Sequence, residues 1–116
     1  MNLNTYQDAA KQFASYPKQV AHEYVLFGLL SEAGEIAGKV KKGLRGDHIT
    51  TGTNVALYNN ETFRTALVYE LGDCLWYLAM ICEEFGLDLN DVAVANLAKL
   101  LKRQQNGTIK GDGDYR

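Results

Sequence analysis

The sequence predicts an all-α protein, a bundle of about four helices with an irregular loop between the second and third, assembling as a dimer. Three observations support this fold class. Apolar residues recur at spacings of three and four along the long segments, asparagine and glycine stand where these segments begin and end, and most connections are short. With 116 residues the chain is long enough for one core and too short for two, so residues 1–116 should form a single domain.

Two helices are predicted before the loop. The first runs from about Thr5 to Ser15, where Thr5 and Asp8 resemble a capping box and Pro17 closes the segment. The second covers about Val20 to Leu44 and ends among glycines. We expect its apolar stripe to pack against the core, and that stripe consists of Leu26, Leu30, Ala33, Ala37, Val40 and Leu44.

The loop at 46–60 separates the two halves of the predicted bundle. It is rich in threonine, glycine and asparagine, and a small hairpin over Ile49–Tyr58 is left open. The third helix covers about Glu61–Phe85, with Asn59 or Asn60 as its cap and a glycine as its stop.

The last predicted helix begins at a cap on Asn90 and reaches about Gln105. Residues 105–116 contain three glycines and alternating charges, and we expect this tail to be mobile when no ligand is bound. The third helix carries more apolar surface than its short neighbours can cover, and a large exposed apolar patch usually marks an interface.

Composition narrows the function classes. A net charge of −2 and a pI near 5.6 argue against binding nucleic acid through the fold as a whole. The N-terminal residues lack the layout of a signal peptide, and no apolar run approaches about 20 residues. We therefore expect a cytoplasmic protein without a membrane partner. Cys74 and Cys82 lie too far apart in one helix to pair, so buried, reduced thiols are expected.

The most informative feature is a pair of carboxylates that occurs twice. Glu32 and Glu35 lie three residues apart on the second helix, as do Glu70 and Asp73 on the third, and a glycine precedes the second acid of each pair. Positions three apart share one helix face. A single such pair is usually solvated or ion-paired, and Lys39 lies four residues after Glu35. The second pair, however, lies in a helix that is apolar nearly all round, which is typical of a central helix.

Two such helices packed together would bring four carboxylates to one point, which is strongly unfavourable without a cation. Oxygen-only ligands favour Mg²⁺, with Mn²⁺ as a possible substitute. A di-iron centre requires Glu-x-x-His pairs, and His22 and His48 fit no such spacing. We expect Gly34 and Gly72 to let the two helices approach closely enough to share metal.

Together with their flanks, these motifs resemble MazG-like nucleotide pyrophosphohydrolases, of the all-α nucleoside triphosphate pyrophosphatase superfamily. The resemblance covers most of the chain, namely Leu3–Gln7, Leu29–Glu35, Glu70–Asp73, and Asn96–Lys99 with Arg103. One departure is the spacing of 34 residues between Glu35 and Glu70, which is longer than usual for this family. The extra length falls in the loop, so substrate contacts there are not carried over.

The resemblance implies hydrolysis of a nucleoside triphosphate between the α and β phosphorus, giving a monophosphate and pyrophosphate. The four acids would hold one to three Mg²⁺ ions, with Glu32 and Glu35 as catalytic residues and Glu35 taking the proton of the attacking water.

For the substrate, Lys99 and Arg103 would reach the phosphates, or else form a solvated basic face with Lys102. Asn96, on the same face, would bond a phosphate or sugar, or make a packing contact. Trp76 would stack on the base, or belong to the core.

The resemblance also implies homodimers, sometimes paired into tetramers. Two other function classes remain open at this point. One is a metal-dependent hydrolase of another phosphate substrate, such as a phosphodiester or an alarmone. The other is a catalytically silent bundle that binds nucleotides or a protein partner.

Overall fold

The protein is described by a computed structural model over residues 1–46 and 54–116, with backbone alone at 54–56. No strand occurs in these ranges, which confirms the all-α class. Short 3₁₀ turns at Lys11–Phe13 and Lys18–Val20 join the first two helices. The α-helices are α1 (Leu3–Ala10), α2 (Ala21–Leu44), α3 (Asn54–Asn59), α4 (Glu61–Phe85) and α5 (Leu89–Gln105).

The predicted long helices are confirmed almost to the residue at their C-terminal ends. The side chain of Asn60 accepts a hydrogen bond from the Phe63 amide at 2.9 Å, and Gly86 ends α4 in the left-handed region with φ of 66°. A glycine adopts this conformation without the steric penalty of a Cβ atom. Both signals are local, which is why the sequence alone reveals them.

The first helix and the loop differ from the prediction. Helix α1 begins two residues early because Asn2, not Thr5, is its N-cap, and Asn2 and Thr5 form the capping box. It also ends at Ala10 and not near Ser15, because the chain tightens into the 3₁₀ turn at Lys11–Phe13. The loop predicted to be irregular contains α3, so residues 54–59 are helical and not part of a hairpin. The remainder of the possible hairpin lies outside the described residues.

Helices α2 and α4 form the centre of the molecule and run antiparallel. Gly28 of α2 faces Tyr77 of α4, whereas Lys39, further along α2, reaches back to Glu70. The core lies between these helices, α1 and the start of α5, and its buried residues are Ala10, Val25, Ala79, Met80, Cys82 and Leu89. Both cysteines are free thiols, Cys82 buried and Cys74 half-buried.

Close helix approach depends on glycines other than those predicted. A Cβ atom added at Gly28 would overlap the Tyr77 ring, and one added at Gly43 would overlap the Leu57 side chain. Around Gly34 and Gly72, by contrast, no described atom lies within 4 Å of an added Cβ. The expectation that these two glycines permit close approach is therefore wrong within the chain.

Helix α5 is held in place by side chains from α1. Gln7 is buried; its amide nitrogen donates to Glu83 at 2.8 Å and to the Leu87 carbonyl at 3.0 Å, and its oxygen accepts from the Leu89 amide at 2.7 Å. Asn4 accepts from the Asn90 amide at 3.1 Å. The first amides of α5 are thus capped from a distant segment, in place of the local cap predicted at Asn90.

The apolar stripe predicted to pack the core is largely exposed. Helix α2 turns its Val25, Gly28 and Glu32 side towards α4, while Leu26 and Leu30 are 48% and 72% exposed. The neighbouring surface of α4 is similarly open. The hydrophobic pattern therefore identified an apolar face correctly, but the prediction that this face packs against the core is wrong for most of its residues.

One described helix, α4, is long and apolar enough to cross a membrane by length and composition alone. The central helix of a soluble protein passes the same test, so this carries little weight. Helix α4 also carries Glu70 and Asp73, and carboxylates are costly in the interior of a bilayer.

Candidate active site

Three of the four predicted acids converge between α2 and α4. One carboxylate oxygen from each of Glu32, Glu70 and Asp73 lies within 4.8 Å of the others. Glu32 and Glu70 are half-buried and Asp73 is exposed. We call these three residues the acid trio. Because α2 and α4 pack side by side, acids that are far apart in sequence lie close together in the structure.

Electrostatics in the acid trio are unfavourable without a cation. Burial, followed by the charges of Asp73, Glu70 and Glu35, raises the pKa of Glu32. Burial and the charge of Asp73 likewise raise the pKa of Tyr6, which lies on α1. Like charges oppose the ionisation of such a group, so a cation bound beside it stabilises the charged form strongly.

Glu35 lies apart from the acid trio. Its side chain is exposed, and it does not belong to the group of carboxylates within 4.8 Å. It is nevertheless close enough for its charge to contribute to the raised pKa of Glu32. Its predicted roles as metal ligand and proton acceptor stay predictions.

The residues of the acid trio fit a hard divalent cation. They supply oxygen ligands only, from two rigid helices, and their separation allows one ion to contact all three. Lys39 already forms an ion pair with Glu70, its Nζ lying 3.2 Å from Oε1. Sequence spacing offered Glu35 as a possible partner of Lys39, whereas in the structure Lys39 pairs across helices with Glu70.

A small aromatic cavity opens beside the acid trio. Its volume is about 250 Å³, and Glu32 belongs to both its wall and the acid trio; the remaining lining residues are Tyr24, Phe27, Gly28, Ser31 and Tyr77. Burial and the neighbouring Tyr24 raise the pKa of Tyr77, so its phenol stays neutral. A wider cleft of about 500 Å³ at the start of α4 contains none of the three acids.

Sequence reasoning missed most of this cavity. Tyr24, Phe27 and Ser31 precede Glu32 at helical spacing on one side of α2, which was the available signal. It was overlooked because aromatic residues in an apolar helix are usually core. Only the approach of Tyr77 over Gly28 turns that side into a cavity.

Trp76 is engaged in packing. Its indole nitrogen donates to the Ala10 carbonyl at 3.0 Å, and its ring makes edge contacts with Tyr16 and Tyr77. These contacts tie α1 to α4 and support the core alternative for this residue. Trp76 does not line the aromatic cavity.

The predicted phosphate-binding residues lie on α5, which packs against α1 and α4 but, within the described chain, not against α2. Asn96 is exposed. Lys99 and Arg103 both contact Asp114, at 3.3 and 3.4 Å. Arg103 is buried, and its Nε has no hydrogen-bond partner among the described residues. The structure therefore pairs these cations with a carboxylate of the tail, and their predicted contact with phosphates stays a prediction.

The tail lies folded back along α5. Arg116 donates to the carbonyls of Thr108 at 2.9 Å, Ile109 at 3.1 Å and Gly113, and Arg103 donates to the Gly113 carbonyl at 3.1 Å. The hydrogen bond from Lys99 is the main cause that lowers the pKa of Asp114. The predicted mobility of the tail stays a prediction. The tail must break these hydrogen bonds and ion pairs in order to move.

Comparison with known proteins assigns the family. A profile of the MazG nucleotide pyrophosphohydrolase domain matches residues 20–108, which include the acid trio, the aromatic cavity and the basic residues of α5. The chain is 40% identical to the Gene 37 protein of Mycobacterium phage L5 over an alignment of 123 residues covering all of both chains. No solved structure matches it. The chain belongs to the family of MazG nucleotide pyrophosphohydrolase domains.

Proposed function

We propose that this protein is a Mg²⁺-dependent enzyme that hydrolyses a nucleoside triphosphate to the monophosphate and pyrophosphate. The observation that carries the proposal is the convergence of Glu32, Glu70 and Asp73 within 4.8 Å. An aromatic cavity directly beside these acids supplies room for an organic group next to bound phosphates. Membership of the MazG family agrees with this chemistry.

In this mechanism the acid trio holds Mg²⁺, or Mn²⁺ in its place. The bound ion supplies charge neutralisation for the phosphates and a more acidic water nucleophile. Glu32 belongs to both the acid trio and the cavity wall, so it sets the position of the metal relative to the cavity. Glu35, which is exposed, accepts a proton from water in this proposal. Phosphoryl transfer needs positioning and charge stabilisation more than covalent help, and carboxylates on two rigid helices provide both.

The cavity receives the nucleobase in this proposal. Tyr77 and Phe27 offer aromatic faces, and Tyr24 and Ser31 offer hydroxyl groups that can bond to a base edge or sugar. A volume of about 250 Å³ suits a single base. Trp76, whose indole is engaged with α1, is not needed for stacking.

The phosphates are contacted by Lys99 and Arg103 in this proposal, with Asn96 on the same helix as a further polar contact. Asp114 forms ion pairs with both side chains in the structure, so a phosphate must displace its carboxylate in order to bind them. Both cations are suited to this exchange, because their partner is an exposed side chain on a short tail.

Asp114→Asn should therefore tighten binding of inorganic pyrophosphate, by roughly threefold to fivefold, because the phosphate no longer has to displace a carboxylate and an exposed ion pair is weak. Asp112→Asn is the matched control, since it removes the same charge from the same exposed tail. Calorimetric titration with pyrophosphate measures both variants. Equal affinity of the two variants would mean that Asp114 does not compete for this site.

We propose that the protein is a homodimer, with a dimer of dimers as the larger alternative. The chain exposes 8387 Å², whereas a compact monomer of 12.9 kDa exposes about 6,300 Å². Its radius of gyration is 17.6 Å, against about 13 Å expected for this length. The exposed stripe of α2 and the open face of α4 provide apolar surface for a second copy.

Analytical ultracentrifugation should accordingly give twice the chain mass, and Leu30→Glu should shift the protein towards monomer. A charge placed in an apolar interface is left without a partner, which costs several kcal/mol. Glu23→Gln changes one charge on the same helix outside the stripe and should leave the mass unchanged. A monomeric wild-type protein at micromolar concentration would refute the dimer.

We place the protein in the cytoplasm, where nucleotides and Mg²⁺ are available, with a nucleoside triphosphate as its partner and with no membrane or nucleic acid. The function is tested by pyrophosphate release from a panel of canonical, deoxy and modified triphosphates with Mg²⁺. Release from at least one of them supports the proposal. Release of phosphate alone, or turnover only of a phosphodiester or alarmone, would point to another hydrolase. Binding without turnover would identify a silent nucleotide-binding bundle.

A further inference from the structure

Lys39 occupies an unusual position for a surface lysine. It lies on the same side of α2 as Glu32, two turns further along, and its side chain is only 33% exposed. Its stem lines a small cavity of about 40 Å³ with Thr62, Phe63 and Ala66 of α4. Its ammonium then reaches the carboxylate of Glu70, which is itself only 15% exposed.

This ion pair competes with metal binding. Glu70 is one of the three residues whose oxygens lie within 4.8 Å of one another, so a cation held by the acid trio must share Glu70 with the ammonium. Two cations this close repel each other strongly in a half-buried site. The ammonium can leave, because the lysine stem is flexible and its charge is a compact point with three donors.

We propose that Lys39 is a resident counter-ion that a divalent cation displaces from Glu70, and that the released ammonium then binds phosphate oxygens of the substrate. The second half rests on the proposed function, and the first half does not. Without metal, Lys39 holds Glu70 in place and offsets the charge of the acid trio. With metal bound, Lys39 stays close to the site and contacts the substrate phosphates.

This assignment makes Lys39 act with opposite signs on two ligands. Removing its charge frees Glu70 for the metal, so the affinity for Mg²⁺ rises. The same change removes a cation from the phosphates, so the affinity for nucleotide falls. A lysine that merely supports the fold would move both affinities in the same direction.

The first measurement is a calorimetric titration of full-length protein with Mg²⁺ in the absence of nucleotide. Lys39→Met keeps the aliphatic stem between the helices and removes the charge. We expect it to bind Mg²⁺ roughly threefold to tenfold more tightly than the wild type. Lys42→Met is the control, since Lys42 is exposed on the same helix and its charge acts on the site only through solvent.

The second measurement is binding of a non-hydrolysable α,β-methylene triphosphate at saturating Mg²⁺. Lys39→Met should bind it roughly fivefold to tenfold more weakly, and Lys39→Arg should bind both ligands within about twofold of wild type. Circular dichroism of each variant verifies the fold. If the methionine variant unfolds, Lys39→Gln, which also removes the charge, takes its place in both titrations, and a Mg²⁺ affinity no higher than that of Lys42→Met would overturn the proposal.

The outcomes separate the two halves. Mg²⁺ affinity of Lys39→Met equal to or below that of Lys42→Met would overturn displacement from Glu70. Tighter Mg²⁺ binding with unchanged affinity for the analogue would overturn the phosphate contact. A wild type that binds Mg²⁺ but no nucleotide would refute the proposed function while leaving the first half supported.

Discussion

Glu70→Gln should abolish pyrophosphate release while leaving the fold intact. The substitution keeps the shape of the side chain and removes one of the three carboxylates that meet within 4.8 Å. Charge stabilisation by a bound metal contributes several kcal/mol to such a reaction. A loss of about 4 kcal/mol corresponds to roughly a thousandfold in kcat/KM, since each 1.36 kcal/mol is tenfold.

The same variant should respond differently to metal. Mg²⁺ at millimolar concentration should raise the Tm of the wild type, because the ion binds the assembled acid trio and not the unfolded chain. The shift should be absent in Glu70→Gln. Glu61→Gln, at the start of the same helix and outside the acid trio, is the matched control and should keep both activity and shift. Retained turnover in a folded Glu70→Gln protein would refute the proposed centre.

The second large effect is expected at a glycine. In Gly28→Ala the new methyl group would overlap the Tyr77 ring, which is half-buried and packed edge-on against Trp76. Overpacking of this kind costs about 1–3 kcal/mol of unfolding free energy. Because Tyr77 must move, the aromatic cavity beside Glu32 should change shape as well, and the KM for nucleotide should rise.

Gly38→Ala provides the comparison within the same helix. No described atom lies within 4 Å of an added Cβ there, so the alanine should stabilise α2 by about 0.5–1 kcal/mol. Urea unfolding of both variants measures the difference, which should have opposite signs. Equal stability of the two variants would show that Tyr77 yields without cost, and that Gly28 is not required for helix approach.

What the sequence could predict was local. The ends of α4 followed from a cap predicted at Asn59 or Asn60 and a glycine at 86, and the spacing of the acids within each helix placed each pair on one side. The convergence of Glu32 with Glu70 and Asp73 followed from packing two such helices together. These features depend on residues within a turn or two of each other, or on a single helix pairing.

What the sequence could not predict was which partner each surface meets. The stripe that begins at Leu26 is apolar in either arrangement, and periodicity alone does not say whether the same chain or a second copy covers it. The pairing of Lys39 with Glu70, the capping of α5 by Gln7 and the position of Tyr77 over Gly28 all join residues that are distant in sequence. Only the fold brings them together.

The clamp made by Asn4 and Gln7 has a consequence for synthesis on the ribosome. These residues are translated well before their hydrogen-bond partners, which lie 76 to 86 positions later in the chain. At 5–20 residues per second, synthesis of the partners follows that of these two side chains by about 4–17 s. The ribosome must therefore synthesise α2 and α4, with their carboxylates, before α1 can form its hydrogen bonds to the start of α5.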